Sequence, residues 1–191
     1  GHLRGARVAR EMIEACSERG IKHLTLYTFS SENWLRPLEE VSFLMALLSR
    51  HLKRERANLV KNNIRFSAIG ELSRLPAQVA EEVEATIRAT SHCTGMILTF
   101  ALSYGGRQDI LSAVRTQITD GIPLEQINEE TLASRLLTKS LPDPDLIIRT
   151  SGESRLSNFF LWQSAYSEIL ITPTLWPDYD VDQLDEALTW Y

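Results

Sequence analysis

The residues best suited to chemistry lie between Asp145 and Glu168, in the stretch DLIIRTSGESRLSNFFLWQSAYSE. A short apolar run, Leu146-Ile147-Ile148, has the character of a buried strand. Arg149 ends it, the turn-forming Thr150-Ser151-Gly152 follows, and then come Arg155, Leu156 and Ser157. Two guanidiniums and several hydroxyls are thus expected just past the carboxyl end of a parallel strand, the edge where open α/β sheets bind ligands. A guanidinium presents a planar, permanently charged fork of donors that matches phosphate oxygens. Glu168 is a hard oxygen ligand that could hold magnesium beside such a phosphate. A surface loop with ordinary ion pairs would use the same residue types.

A second stretch of this kind is Ser30-Ser31-Glu32-Asn33-Trp34-Leu35-Arg36-Pro37. It follows a strand-like segment, Ile21–Phe29, and so should open on the same edge. Its hydroxyls, amide, guanidinium and aromatic ring suit substrate positioning. They would equally suit a capping loop for the next helix, with Pro37 near its first turn. Arg36, Arg149 and Arg155 together supply more positive charge than one phosphate group needs, which fits a diphosphate. Gly-x-Ser-x-Gly and the GxxxxGK[ST] phosphate loop are both missing, which weakens a serine hydrolase or a P-loop kinase.

The elements that must position these loops alternate along the chain. Arg4–Arg19 reads as a helix with Val8, Met12, Ile13 and Cys16 on one stripe and Gly20 as its cap. Glu39–Asn62 is a long amphipathic helix carrying Val41, Leu44, Met45, Leu48, Leu52 and Leu59, with Lys53–Arg56 as its solvated face. Strands are expected at Ile64–Ile69, Met96–Ser103 and Ile169–Thr172, and helices at Pro76–Thr90, Arg107–Thr119 and Val181–Tyr191. A further helix starts at the N-cap Asn128, with Leu132, Leu136 and Leu137 inward. The paired glycines of Tyr104-Gly105-Gly106-Arg107 permit tight backbone geometry before a helix. Five strands separated by helices predict a parallel sheet.

The chain has 191 residues and fits one domain with a sizeable core. Its net charge of −5 argues against a nucleic-acid binder. No apolar run approaches the ~20 residues that span a bilayer. Cys16 and Cys93 have no metal or redox spacing and read as reduced residues of a cytosolic protein. Without an initiator Met, the natural start is expected to lie elsewhere.

The pattern R-T-S-G-E-x-R-x-S-N-F-x-x-W-Q-x-x-Y-x-E resembles the signature of the cis-prenyltransferases, the undecaprenyl diphosphate synthase family. FSSENWLRP at Phe29–Pro37, Tyr104-Gly105-Gly106-Arg107 and Gly1-His2-x-x-Gly5 are similar to further family blocks, in family order. The resemblance implies a single α/β domain over residues 1–191, with helices flanking a mostly parallel central sheet of about six strands, one of them upstream. It implies truncation at both ends, since the family's M-D-G-N-G-R-W-A-like segment and its C-terminal arginine- and glycine-containing tail are not in the sequence.

The implied activity joins isopentenyl diphosphate to an allylic diphosphate such as farnesyl diphosphate. The product is a polyprenyl diphosphate, undecaprenyl diphosphate being the expected one, a lipid carrier for cell-wall synthesis. By resemblance Arg149, Arg155, Leu156 and Ser157 hold isopentenyl diphosphate, and Glu168 helps hold Mg2+. Ser30, Asn33 and Arg36 form the reacting centre, flanked by Ser31 and Glu32. Asn33 is implicated in proton removal; a neutral amide is a poor base, so it would orient or relay the proton, with Glu32, the diphosphate or a water as acceptor. Trp34 would be an apolar wall and His2 would touch the allylic diphosphate. The leucine stripe with Met45 could line a lipid tunnel. A homodimer is implied, cytoplasmic, with room for peripheral membrane contact during product release. The alternative is a non-catalytic diphosphate-binding subunit of a heteromeric synthase. Two departures stand out: Ser154 replaces a histidine of many bacterial members, and Ser103 an asparagine common before Tyr104.

Overall fold

The expected alternation is realised as two parallel sheets with helices around them. The structure, a computed structural model, describes residues 2–191, the side chain of His2 excepted. Strands β1 (His23–Ser30), β2 (Arg65–Ile69) and β3 (Ile97–Tyr104) form one sheet in the order β1-β3-β2. β3 is in the middle because its sequence, ILTFALSY, is apolar on both faces; all but its first residue are buried. β4 (Leu146–Arg149) and β5 (Glu168–Ile171) pair in parallel as a second sheet. All five strands start and end within about two residues of the spans read from hydropathy.

Helix α1 (His2–Glu18) buries Val8, Met12, Ile13 and Cys16, the predicted stripe. It ends in a Schellman turn: Ile21 N–H reaches Cys16 O at 3.1 Å while Gly20 takes φ of 75°. α2 (Leu38–Lys61) buries Val41, Met45, Leu48, Leu52 and Leu59. α3 (Ala77–Ala89) buries Val79 and Val83. α4 (Gly106–Thr119) begins at the paired glycines, and α6 (Val181–Trp190) follows the side-chain cap Asp180. α5 (Glu129–Ala133) starts at Asn128 as predicted, with Thr131 N donating to Asn128 Oδ1 at 2.9 Å. It stops after five residues, so its later leucines leave helical register: Leu136 is buried, but Leu137 is 43% exposed, not inward.

The expected single sheet is interrupted. Among the described residues β1 pairs only with β3, and β4 only with β5. The facing edges of β1 and β4 border a cleft of about 990 Å3. Loop contacts nonetheless join the carboxyl ends of both sheets. The Tyr27 hydroxyl donates to Tyr104 O at 3.0 Å and reaches Ser157 O at 3.4 Å. Gly106 N donates to Asn158 O at 2.6 Å.

Candidate active site

Three loops meet where β1, β3 and β4 end. Arg149, the last residue of β4, is half-buried. One terminal nitrogen of its guanidinium lies 3.5 Å from Ser157 Oγ, and its Nε is buried with no hydrogen-bond partner among the described residues. A buried charged donor left unpaired is costly, and an anion would satisfy it. The loop reaches this point through consecutive left-handed residues, Ser157 (φ 50°) and Asn158 (φ 65°). Such backbone persists in non-glycine residues only where its surroundings hold it.

The loop after β1 is a 3-10 turn over Ser31–Leu35. Ser30 N donates to Asn33 Oδ1 at 2.9 Å, so the amide oxygen already serves the backbone. Asn33 can therefore orient a group by donating from its NH2 end, and is not placed to accept a proton. Ser31 Oγ stands beside Gly105, where a Cβ would come within 2.5 Å of it. Glu32 Oε1 accepts from Asn158 Nδ2 at 2.7 Å. Partial burial pushes the Glu32 carboxyl up, but the bonds from Asn158, its own backbone and the two serines outweigh it and hold the group below the usual carboxylate range. Glu32 is thus ionised at neutral pH.

Arg149, Leu156 and Ser157 come together at the β4 end, and Ser30, Ser31, Glu32 and Asn33 at the β1 end, joined by Asn158. The other expected site residues stand apart. Arg155 is exposed and paired with Glu153. Arg36 is paired with Glu40 at 2.6 Å along the first turn of α2. Trp34 is not a wall of the cleft. Its Nε1 donates to Ser103 Oγ at 2.8 Å, its ring meets Phe29 edge-on at 4.8 Å, and Arg74 lies over it at 5.1 Å. Edge stacking and an indole hydrogen bond fix it against the body of the sheet. The expected His2 contact lies outside the described residues.

Glu168 opens β5 opposite Leu146, while Arg149 pairs with Ile171 at the other end of the ladder. Side chains alternate along a strand, so Glu168 and Arg149 are on opposite faces as well as ~10 Å apart along it. Within one chain they do not converge on one phosphate. Among the described residues no group of three or more histidines, cysteines or carboxylates could hold a metal ion. Magnesium needs no such group, since one or two carboxylates together with substrate phosphate oxygens usually hold it.

Three contributors escaped the reading of the sequence. Asn158 was only a letter in a motif. Tyr27 was a strand residue; burial, and then the Glu32 charge, push its phenol up to about 12, so it donates its proton as a hydrogen bond and keeps it. Asp109 was only a position within the expected Arg107–Thr119 helix. It is buried, accepting from Leu137 N at 2.9 Å, Tyr104 Oη at 3.1 Å and Gln163 Nε2 at 3.3 Å. Burial without a cation pushes its carboxyl up. It ties the end of β3 to the Phe159–Gln163 segment. The signal for it was its place three residues after Gly106, on the face that a tight turn must bury.

Arg149, Thr150 and Leu156 stand at one end of the cleft between β1 and β4. Its walls continue through Tyr27 and Phe29 to Met45, Leu48, Met12 and Cys16 on α2 and α1, with Lys22, His51, Asp143, Asp145 and Gln163 among the polar residues of its lining. The arrangement offers a cationic, hydroxyl-bearing head and a deep apolar body, suited to an amphiphile with an anionic end.

The chain is similar to known proteins along its whole length. Residues 1–191 match the model of the prenyltransferase family described as "Putative undecaprenyl diphosphate synthase". The isoprenyl transferase of Geobacter sulfurreducens is 47% identical, over 100% of this chain and 79% of that protein. That of Chlorobaculum tepidum is 48% identical, over 98% of this chain and 72% of its own length. The crystal structure of lavandulyl diphosphate synthase from Lavandula x intermedia, in complex with dimethylallyl diphosphate, matches with a TM-score of 0.96 and 38% identity, covering 100% of this chain and 84% of that one. A "probable undecaprenyl diphosphate synthase" from Campylobacter jejuni matches with a TM-score of 0.88 and 35% identity, covering 100% and 89%.

Proposed function

The chain belongs to the undecaprenyl diphosphate synthase family of prenyltransferases, and from that premise we propose that it adds isopentenyl diphosphate to an allylic diphosphate, farnesyl diphosphate, to make a cis-polyprenyl diphosphate of undecaprenyl type. The observation that carries this reading is the unpartnered Nε of Arg149 at the head of an apolar cleft. A diphosphate held there would satisfy the guanidinium, and its hydrocarbon would enter the cleft. A strand seated between β1 and β4 would take the sheet-level part of that volume and leave the part between α1 and α2 for the chain.

In this reading Arg149 and Ser157 hold isopentenyl diphosphate, and Arg155 adds a second fork when it leaves Glu153. Leu156 meets the substrate's apolar part. Departure of the allylic diphosphate develops negative charge, which fixed donors stabilise without reorganising. Ser30, Ser31 and Arg36 supply such donors, and His2 adds one by family resemblance. The double bond of isopentenyl diphosphate must be held against the carbon it attacks, since orientation supplies much of the rate. Asn33 orients it, and Glu32, kept ionised, accepts the proton released. Trp34 braces the loop from behind. When bound, magnesium would neutralise the departing diphosphate.

Glu168 remains our proposed magnesium ligand. Because it does not converge with Arg149 of its own chain, that role requires the homodimer, which we also propose. The outer edge of β5, with Ile169 and Ile171 more than a third exposed, supports a second copy there. No described helix is long and apolar enough to cross a membrane; we propose a cytoplasmic enzyme with peripheral membrane contact. Relatives named isoprenyl transferase do not favour a non-catalytic partner subunit.

The test is to incubate the full-length protein with farnesyl diphosphate, labelled isopentenyl diphosphate and magnesium, and to size the products. Long polyprenyl diphosphates support the proposal. No label incorporation sinks it, and short products refute the undecaprenyl assignment alone.

A further inference from the structure

Asn158 lies between the two loops that the proposed reaction must bring together. Its side chain is committed on every side. Oδ1 accepts from Arg107 N at 2.8 Å, in the first turn of α4. Nδ2 donates to Glu32 Oε1 at 2.7 Å and to Gln108 Oε1 at 2.9 Å. Its main-chain oxygen accepts from Gly106 N. Four bonds thus join the loop after β4 to the loop after β1 and to the start of α4. The junction tolerates little change, since a Cβ on Gly105 would stand 2.6 Å from Asn158 Nδ2 and 2.5 Å from Ser31 Oγ. The left-handed backbone at Ser157 and Asn158 turns the main chain so that residue 157 faces Arg149 while residue 158 faces Glu32.

We propose that Asn158 is a positioning residue that ties Glu32 to the diphosphate loop, so that seating isopentenyl diphosphate on Arg149 and Ser157 also sets the proton acceptor. This deepens the proposed function and rests on it. An amide is the right group for the place. It donates to Glu32 and accepts from the helix start at once, which neither an acid nor an amine can do at neutral pH. It also accepts φ of 65° more readily than most residues. Around Glu32, Tyr27 faces it from β1, with Arg149 of β4 facing the same phenol. Ser30 and Ser31 face it from its own turn, and Asn158 from the β4 loop. Gln108 of α4 shares Asn158's amide with it.

Two variants of the full-length protein separate positioning from structure. Asn158→Gly keeps the left-handed backbone without strain and removes only the amide. Asn158→Asp keeps the acceptor for Arg107 N, loses the donor and sets a second carboxylate against Glu32. Steady-state kinetics with farnesyl and isopentenyl diphosphates should show kcat/KM for isopentenyl diphosphate falling about tenfold or more in both. Affinity for farnesyl diphosphate should stay within about twofold. In Asn158→Asp the acidic limb of the kcat–pH profile should move to higher pH, because a lost donor and a like charge both raise the Glu32 carboxyl. Unchanged kcat/KM in Asn158→Gly overturns the proposal. So does a loss that strikes both substrates equally, alongside a lowered melting temperature and an unmoved acidic limb. Absence of turnover by the wild type would overturn the proposed function itself and this inference with it, whereas active wild type with unaffected variants overturns this inference alone.

Discussion

Trp34 Nε1 donates to Ser103 Oγ across 2.8 Å, and Ser103 makes this bond from a left-handed backbone, φ 51°, near the end of a buried strand. The serine is one of the two departures noted in the sequence, in a place where asparagine, which adopts that conformation more readily, is common. Its hydroxyl accepts from the indole and so helps fix the turn that carries Ser30, Glu32 and Asn33.

Two substitutions at Ser103 separate backbone from bond. Ser103→Ala keeps the strained φ and removes the bond to a half-buried indole N–H, which should cost about 1 kcal/mol. Ser103→Gly loses the same bond but relieves backbone strain of about 1 kcal/mol. Thermal unfolding should therefore rank both wild type and Ser103→Gly above Ser103→Ala. Equal losses in the two would show that the left-handed conformation carries no strain.

Arg149 and Arg155 should not be equivalent. Arg149 is half-buried with an orphan Nε beside Ser157, whereas Arg155 is exposed on Glu153. Arg149→Ala should raise the KM for isopentenyl diphosphate by the equivalent of about 2–5 kcal/mol, the range for losing one partner of a desolvated charge pair. Arg155→Ala should do less. Arg149→Lys should recover little, because an ammonium cannot reproduce the fork. A KM within twofold of wild type for Arg149→Ala would remove the residue from the substrate site.

What the sequence made legible, and what it did not, follows from range. β3 and the α1 stripe were readable because hydropathy with a period of two or 3.6 reports burial directly. Arg149 and Ser157 were readable because a strand followed by a charged turn places them at a known edge. The direction Trp34 faces was not readable, because for a turn residue it depends on Ser103 and Arg74, 69 and 40 positions away. Asn158 was invisible for the same reason: its partners are 126 and 50 residues distant, and no local pattern encodes them.

Asp109 should leave a mark on stability against pH. Its folded carboxyl is raised above the unfolded value by burial, outweighing the bonds from Leu137 N, Tyr104 and Gln163. A raised value means that stability from this group is complete below the unfolded value, near 4, and is lost as pH rises through the folded value. Asp109→Asn keeps an acceptor for Leu137 N, and turning the Gln163 amide over restores the bond between them. Denaturant unfolding should show the wild type losing stability relative to Asp109→Asn as pH rises from acid to neutral. A constant difference across that window would mean that Asp109 ionises in the fold as it does in the open chain.

Glu168 tests the homodimer and the metal together. A carboxylate beside a diphosphate is repulsive unless a cation intervenes. Glu168→Gln should therefore raise the magnesium concentration needed for half-maximal turnover while leaving the melting temperature unchanged, since the residue is exposed at a strand end. An unshifted magnesium titration would return Glu168 to the role of a surface residue at the start of β5.

Gly105 and Gly70 should respond to the same substitution in opposite ways. At Gly70 a Cβ would be driven onto the backbone oxygen of Leu102, and φ is 125°, so nothing can move aside. Gly70→Ala should prevent stable folding. At Gly105 φ is −153°, an extended conformation open to any residue, and the atoms a Cβ would meet are side-chain ends: Gln108 Oε1, Ser31 Oγ and Asn158 Nδ2. Those ends can swing away at a cost of about 1–3 kcal/mol, so Gly105→Ala should fold. The atoms that move, however, are the ones joining the two substrate loops, and a displacement of ~1 Å in such a junction can cost about a hundredfold in rate. Gly105→Ala is therefore expected to melt within several degrees of wild type while kcat falls by one to two orders of magnitude (about 1.4–2.8 kcal/mol). Full activity in a folded Gly105→Ala would show that the junction of Ser31, Asn158 and Gln108 is packing without consequence for the reaction.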